Sequence, residues 1–354
     1  MSRSSISNSK TLKSIPTLTR AGFFAIVLFF ATRIGLYANP DPLYPLAKDS
    51  FQSGQMFMES KFRSDPESPR LLLLGTSRLM WISPAWITRQ LNLEQDAGHN
   101  GSTAGANFFR IHSFLSRNPD VLTNLDVLVI DLVPAQLYST VWSDEGGAGF
   151  LLYGSFEEKI RSRGIRGKIL VIADTIVPFR SNRFAPHEWR IGLFGTHEEK
   201  LTFNNYQLQA WVRDLMEGLG RLESRDMVNR VLEQEFPPPV PFPVQEFALN
   251  EIVDMLSPDT AVLLIRWPYR DDAQEIIDST EELHASDQAY RKYAESIARE
   301  RRNVQVEWYD HASDMGLVFK DYNSDGAHFS KSGLRKAANE IAAIIRKEGW
   351  LQKD

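Results

Sequence analysis

The 354-residue chain contains no cysteine, which removes disulfides, thiolate catalysis and zinc–thiolate sites together while permitting any compartment. It also lacks a basic surplus. Its 40 Lys and Arg stand against 45 Asp and Glu, a formal net charge of -5, without the clustered cations that neutralise a nucleic-acid backbone. No Gly-Lys-Ser/Thr follows a glycine-rich loop, so no phosphate cradle is encoded. His99, His112, His187, His197, His284 and His311 show no metal-ligand spacing such as His-Glu-x-x-His. Neither a metal nor a cofactor is therefore expected. What is present is core-forming material: 43% hydrophobic and 24% charged residues suit a folded chain of this length.

The N-terminus is asymmetric. Residues 1–20 carry Arg3, Lys10, Lys13 and Arg20 and no acid, and AGFFAIVLFFATRIGLYANP follows, apolar from Ala21 to Ala31, broken by Arg33 and closed by Pro40. A basic flank before an apolar run keeps the N-terminus in the cytoplasm and sends the rest outward. Spanning takes about 20 apolar residues, which 21–38 approaches if Arg33 snorkels to the outer interface. The expectation is a basic cytoplasmic tail (1–20), a retained signal anchor (21–38) and a polar, proline-containing linker (39–69). A cleaved signal peptide is the alternative, although no Ala-x-Ala precedes Asn39. Either places the bulk of the chain outside the cytoplasm, in the periplasm or at the cell surface, where ATP-dependent chemistry is not expected.

From residue 70 the pattern is α/β. Arg70 to Leu74, Leu125 to Leu132, Thr260 to Ile265 and Val304 to Trp308 read as strands, the first three as continuous apolar runs buried on both faces. Helices are expected at Pro84 to Leu91, Ala104 to Ser116, Tyr290 to Arg302 and Ser332 to Lys347. Alternation of this kind predicts a mostly parallel sheet in a three-layer sandwich over 70–350. About 142–243 interrupts it as a mostly helical insertion ending in PPPVPFP.

Ligands of an open parallel sheet bind beyond the carboxyl ends of its strands. LLLLGTSR (Leu71 to Arg78) ends its first strand there, so Ser77 can present a hydroxyl, although Thr76 or Ser77 could equally serve as a helix cap. Near the other end, DYNSDGAHFSKSG (Asp321 to Gly333) sets Asp325 and His328 three apart before the last helix. An alcohol nucleophile needs a base, and that base needs an acceptor for its other ring nitrogen, which Asp-x-x-His can supply. The same loop also reads as a polar turn with Ser330 or Ser332 as cap. His311, after Asp310, is the rival base. In GHNGSTAGANFF (Gly98 to Phe109), Gly105 could offer an N–H to an oxyanion, or the loop could simply cap the next helix through Asn100 or Ser102. Arg266 and Trp267 end a strand on the same edge, so Arg266, like Arg78 beside Ser77, can either bind substrate or pair with an acid.

In this order the residues resemble the SGNH/GDSL hydrolase superfamily: a Ser in GTS after the first strand, a Gly after the second, and Asp-x-x-His before the final helix. The resemblance covers about Arg70 to Val141 and Thr260 to Lys347. It implies an SGNH-like, flavodoxin-like fold with Ser77 as nucleophile, His328 as base, Asp325 as its orienter, and the Ser77 and Gly105 N–H groups in the oxyanion hole. Where the superfamily carries Gly-x-Asn-Asp, this chain reads DLVPAQLY, and Pro134 and Gln136 resemble the Pro-x-Gln of a membrane-tethered branch. That branch includes the D-alanyl-transfer proteins of teichoic acid modification and the O-acetyltransferases of exopolysaccharide assembly. It implies transfer or removal of an ester-linked acyl group, a glycan or polymer acceptor, a membrane-bound O-acyltransferase as partner, and Gln136 in place of the Asn. The alternatives are a non-catalytic accessory subunit of the same fold and a plain secreted esterase.

Overall fold

A computed structural model describes residues 22–31, 68–102, 106–138, 224–236 and 243–351. The basic tail, residues 21 and 32–38 of the expected anchor, the linker up to residue 67, Gly105 and most of the expected insertion lie outside them. Residues 22–31 are helical with exposed side chains, and among the described residues no helix is long and apolar enough to cross a membrane.

The sheet has five strands: β1 (Leu71–Leu74), β2 (Gly98–Asn100), β3 (Val127–Asp131), β4 (Ala261–Arg266) and β5 (Val304–Trp308). All pair in parallel in the order β2-β1-β3-β4-β5, the doubly wound, flavodoxin-like arrangement. Parallel strands must be joined by crossovers, which place helices on both faces and leave no face for water. Hence the runs LLLL, VLVID and AVLLIR are buried throughout. Alternate residues divide between two cores. Leu72, Leu74, Leu128, Ile130, Val262 and Leu264 meet the helices Phe108–Arg117, Pro243–Asp254 and Glu281–Glu300. Leu71, Leu73, Val127, Val129, Leu263 and Ile265 meet Pro84–Gln90 and Lys331–Glu348 on the other face.

Several boundaries depart from the sequence reading. Gly98–Asn100 is an edge strand, not part of a glycine loop, because its backbone pairs with β1 from Leu71 to Leu73. The helix after it starts at Phe108, not Ala104, because the Asn107 side chain accepts the Arg110 N–H and is its cap, a task neither Asn100 nor Ser102 performs. The charged helix before β5 begins nine residues earlier than expected, at Glu281, preceded by the helix Asp271–Ser279. The chain leaves β1 for β2 on one side and later returns to β3 on the other. The crevice between the carboxyl ends of β1 and β3 is thus the topological switch point.

Candidate active site

Ser77 opens the short helix Ser77–Met80 at that switch point. Thr76, not Ser77, is its cap, with Oγ1 3.3 Å from the Arg78 nitrogen. Thr76 is itself held by Asp131 at the end of β3: its N–H donates to Oδ1 at 2.8 Å and its hydroxyl to Oδ2 at 2.5 Å. Gly75 is required here for space. Its φ is not positive, but a Cβ would stand 1.9 Å from Asp131 Oδ1. The far end of the helix is fastened by Asn100, whose Nδ2 donates to the carbonyls of Leu79 (3.0 Å) and Ile82 (2.8 Å). With capping delegated to Thr76, the Ser77 hydroxyl is left available.

It meets His328. Ser77 Oγ lies 2.7 Å from His328 Nε2, and His328 Nδ1 lies 2.8 Å from Asp325 Oδ2. The other Asp325 oxygen accepts the backbone N–H groups of Ala327 (3.0 Å) and His328 (2.9 Å). A neutral imidazole donating from Nδ1 to this carboxylate leaves Nε2 as the acceptor for the serine proton. The loop is a tight hairpin: Gly326 has φ +73°, the Asn323 N–H donates to the His328 carbonyl, and Tyr322 bridges Phe329. Below it Asp321 binds Ser332 (2.6 Å) and Lys336 (2.7 Å), locking the loop to the last helix.

Electrostatics follow from burial. The Asp325 side chain is 4% exposed and that of His328 27%. Burial pushes the Asp325 carboxyl up, but the His328 contact and the two N–H groups outweigh it and hold it below the ordinary range. Burial likewise pushes His328 down, yet the bond to Asp325 and its charge, reinforced by Glu235, raise it above its ordinary value. Asp131 is the opposite case. Loss of water dominates its hydrogen bonds, and its carboxyl is pushed up to about 6.

The other expected site residues sit differently. Arg78 and Arg266 are buried, not open to a ligand. Arg78 donates to the carbonyls of Ala327, Trp267 and Pro268, while Arg266 donates to the Tyr309 carbonyl and to Gln274 and contacts Asp287. Arg78 is thus met by backbone carbonyls and not by a surface acid, whereas Arg266 takes the expected alternative of pairing with an acid. Buried carbonyls and carboxylates satisfy such a charge better than an open edge would. Gln136 is also fully buried; its Oε1 accepts the Val133 N–H (2.8 Å) and the Tyr290 hydroxyl (3.0 Å), while its Nε2 has no hydrogen-bond partner among the described residues. His311 starts the turn Ala312–Met315 and is exposed. Gly105 lies outside the described residues. Sequence reasoning missed Asp131 and Glu235. A carboxylate closing the otherwise apolar run VLVID was a signal for the first; nothing local marked the second. A cleft of about 800 Å³ opens at the opposite, amino end of the strands, where Arg70 pairs with Asp126; it is far from this chemistry.

Fold and site together define a doubly wound α/β domain with a Ser–His–Asp hydrogen-bonded chain at its switch point. No family model matches the sequence, and no curated protein matches it. Among solved structures, one from Streptococcus pneumonia, named provisionally as a platelet activating factor, is similar over 83% of this chain and 94% of its own. At 14% identity and a TM-score of 0.37 that likeness carries no functional argument.

Proposed function

We propose that the protein transfers or removes an ester-linked acyl group, acetyl being the simplest, through a Ser77 acyl-enzyme. Ser77 Oγ attacks the acyl carbonyl while His328 Nε2 takes its proton, and Asp325 holds the resulting imidazolium in place. His328 then returns the proton to the departing oxygen. A second hydroxyl, from a glycan or envelope polymer, or a water molecule, repeats the sequence in reverse and frees the serine. The developing oxyanion would be met by the Ser77 N–H and, as the SGNH resemblance implies, by Gly105. The basic N-terminal flank and apolar run support an extracytoplasmic, membrane-anchored setting, with a membrane-bound O-acyltransferase as acyl source.

The observation that carries this reading is the 2.7 Å approach of Ser77 Oγ to His328 Nε2 with Asp325 behind it. The absence of the superfamily's Gly-x-Asn-Asp, and with it of an Asn donor to the oxyanion, favours a second reading, an accessory subunit of the same fold without turnover. Mass spectrometry of the full chain after exposure to an activated acetyl ester separates them. A single acetyl on Ser77, absent from Ser77→Ala and His328→Gln, is the result expected. A folded protein that stays unmodified would favour the accessory subunit.

A further inference from the structure

Arg78 is adjacent to the nucleophile in sequence, yet it points into the protein. A buried guanidinium needs acceptors and counter-charge. Its acceptors are three carbonyls of the segments that frame the base: Ala327 (3.1 Å), directly before His328, and Trp267 (3.3 Å) and Pro268 (3.0 Å) at the end of β4. Its guanidinium carbon stands 4.3 Å over the Tyr269 ring. The Tyr269 hydroxyl in turn donates to Glu235 Oε2 at 2.5 Å, and Glu235 is only 7% exposed. Glu235 is the last residue of the helix Ser224–Glu235, whose Val228 and Leu232 share a buried cluster with Ala327 and Tyr269. That helix is therefore packed against the loop that carries the base. A Cβ on Gly326 would already lie 3.4 Å from Val228 Cγ2.

We propose that Arg78, Tyr269 and Glu235 form a positioning relay that holds His328 against Ser77, so that the seating of the helix Ser224–Glu235 sets the geometry of the triad. The relay rests on the acyl-enzyme reading above and adds to it three residues that touch neither substrate nor the reacting atoms. Arg78 joins the two halves of the site, because one residue sits on the nucleophile helix and hydrogen bonds to the base loop. A lysine keeps the charge but has no planar fork with which to reach three carbonyls. Glu235 acts at longer range. The charged groups facing His328 are Asp325, Glu235 and Arg78, the first two favouring the imidazolium and the third opposing it. Those facing Arg78 include Glu235 and Asp131. Removing the Glu235 charge thus alters the balance at both members of the relay.

The test uses the full chain, a fluorophosphonate that labels an activated serine, and ring ¹⁵N titration of His328 with histidine-labelled protein. Arg78→Lys is expected to slow labelling roughly 100-fold, the order of loss that a misplacement of about 1 Å produces. Glu235→Gln still accepts the Tyr269 hydroxyl and preserves the fold, but it lowers the His328 midpoint. Tyr269→Phe keeps the ring under Arg78 and uncouples Glu235. In Arg78→Lys/Glu235→Gln the losses are less than additive, as members of one unit require. A merely structural Glu235 would leave the His328 midpoint where it is. The relay is overturned if that midpoint is unchanged in Glu235→Gln, or if Arg78→Lys, folded by near-UV circular dichroism, labels at the native rate. Failure of the native chain to label at all overturns the acyl-enzyme reading instead, and the His328 titration still decides the relay.

Discussion

Gly75→Ala isolates the support beneath the nucleophile. The added Cβ would stand 1.9 Å from Asp131 Oδ1 and 2.8 Å from its Cγ, more than an ångström inside the 3.0 Å that real Cβ contacts respect for the first. Backbone preference is not the obstacle, since φ is not positive here. Alanine at such a position would otherwise stabilise by about 0.4–1 kcal/mol through the unfolded chain. Asp131 is completely buried and both its oxygens are bonded to Thr76, so moving the carboxylate aside releases Thr76. Two hydrogen bonds to a buried carboxylate are worth about 1.5–3 kcal/mol each, and overpacking adds about 1–3 kcal/mol of strain. Partial relaxation retains some of both, so a net loss of about 3–5 kcal/mol is expected, or roughly 10 °C in Tm for a domain of this size. Thr76 caps the nucleophile helix, so fluorophosphonate labelling of Ser77 should also slow by about 100-fold. Calorimetry of Gly75→Ala, Asp131→Ala and the double variant measures the cause. If the clash runs through Asp131, the double variant recovers at least about 2 kcal/mol relative to additivity. A Gly75→Ala protein that melts and labels like the native chain, or strictly additive losses, would refute the reasoning.

Further outcomes follow from the same geometry. His328 must be neutral to accept the serine proton, and Asp325 holds its pKa above the ordinary 6.5, so labelling should climb with pH through a midpoint above 6.5; a midpoint at or below that value contradicts the assignment. Asp325→Asn should lower that midpoint and reduce the plateau rate by roughly 10³–10⁴-fold, read in the same pH series. The pair also shapes stability against pH in opposite senses. The raised His328 contributes stability that is complete below about 6.5 and is lost as pH rises through its folded value. The depressed Asp325 contributes stability that is complete above about 3.9 and is lost as pH falls through its folded value. The gap in denaturant midpoint between native and Asp325→Asn proteins should therefore be widest between about pH 3.9 and 6.5 and narrow on either side. Gly333→Ala places a Cβ 2.1 Å from the Asp321 carbonyl oxygen, which is backbone and cannot yield; the denaturation midpoint should fall by several kcal/mol equivalent, with Ser77 labelling lost in parallel.

Much of this architecture was written locally. β1, β3 and β4 were legible because a strand buried on both faces is apolar along its length, as Leu71–Leu74 is throughout and as β3 and β4 are up to Asp131 and Arg266, their last residues. β2 was not, since three residues reading Gly-His-Asn carry no such run and exist as a strand only through pairing with β1. Asp271–Ser279 opens with two aspartates and offers only a short apolar stripe, so its helical period is brief. Ser77, Asp325 and His328 could be found because chain order and a three-residue spacing place them. Arg78, Arg266 and Gln136 were placed on the right edge, and for Arg266 pairing with an acid was foreseen, but the partners of each were not legible. Sequence locates a Cα at a strand end, whereas the turn of a long side chain depends on acceptors many residues away. For Arg78 these are carbonyls at 267, 268 and 327. Glu235 shows the limit: its partner, Tyr269, is 34 residues distant and the contact is purely tertiary.

The Ser77–His328 contact closes a loop of 251 residues, from the first strand of the sheet to the loop before its last helix. A ribosome delivers the serine 251 residues before the imidazole. Throughout synthesis the emerging polypeptide therefore carries an ordinary alcohol, inert toward the esters around it. Reactivity arrives in one step, when the segment Lys331–Glu348 docks beside Pro84–Gln90 and brings the hairpin before it to the sheet edge. Chemical competence is in this sense a certificate of completed folding, and a chain halted short of that final docking has no base with which to act.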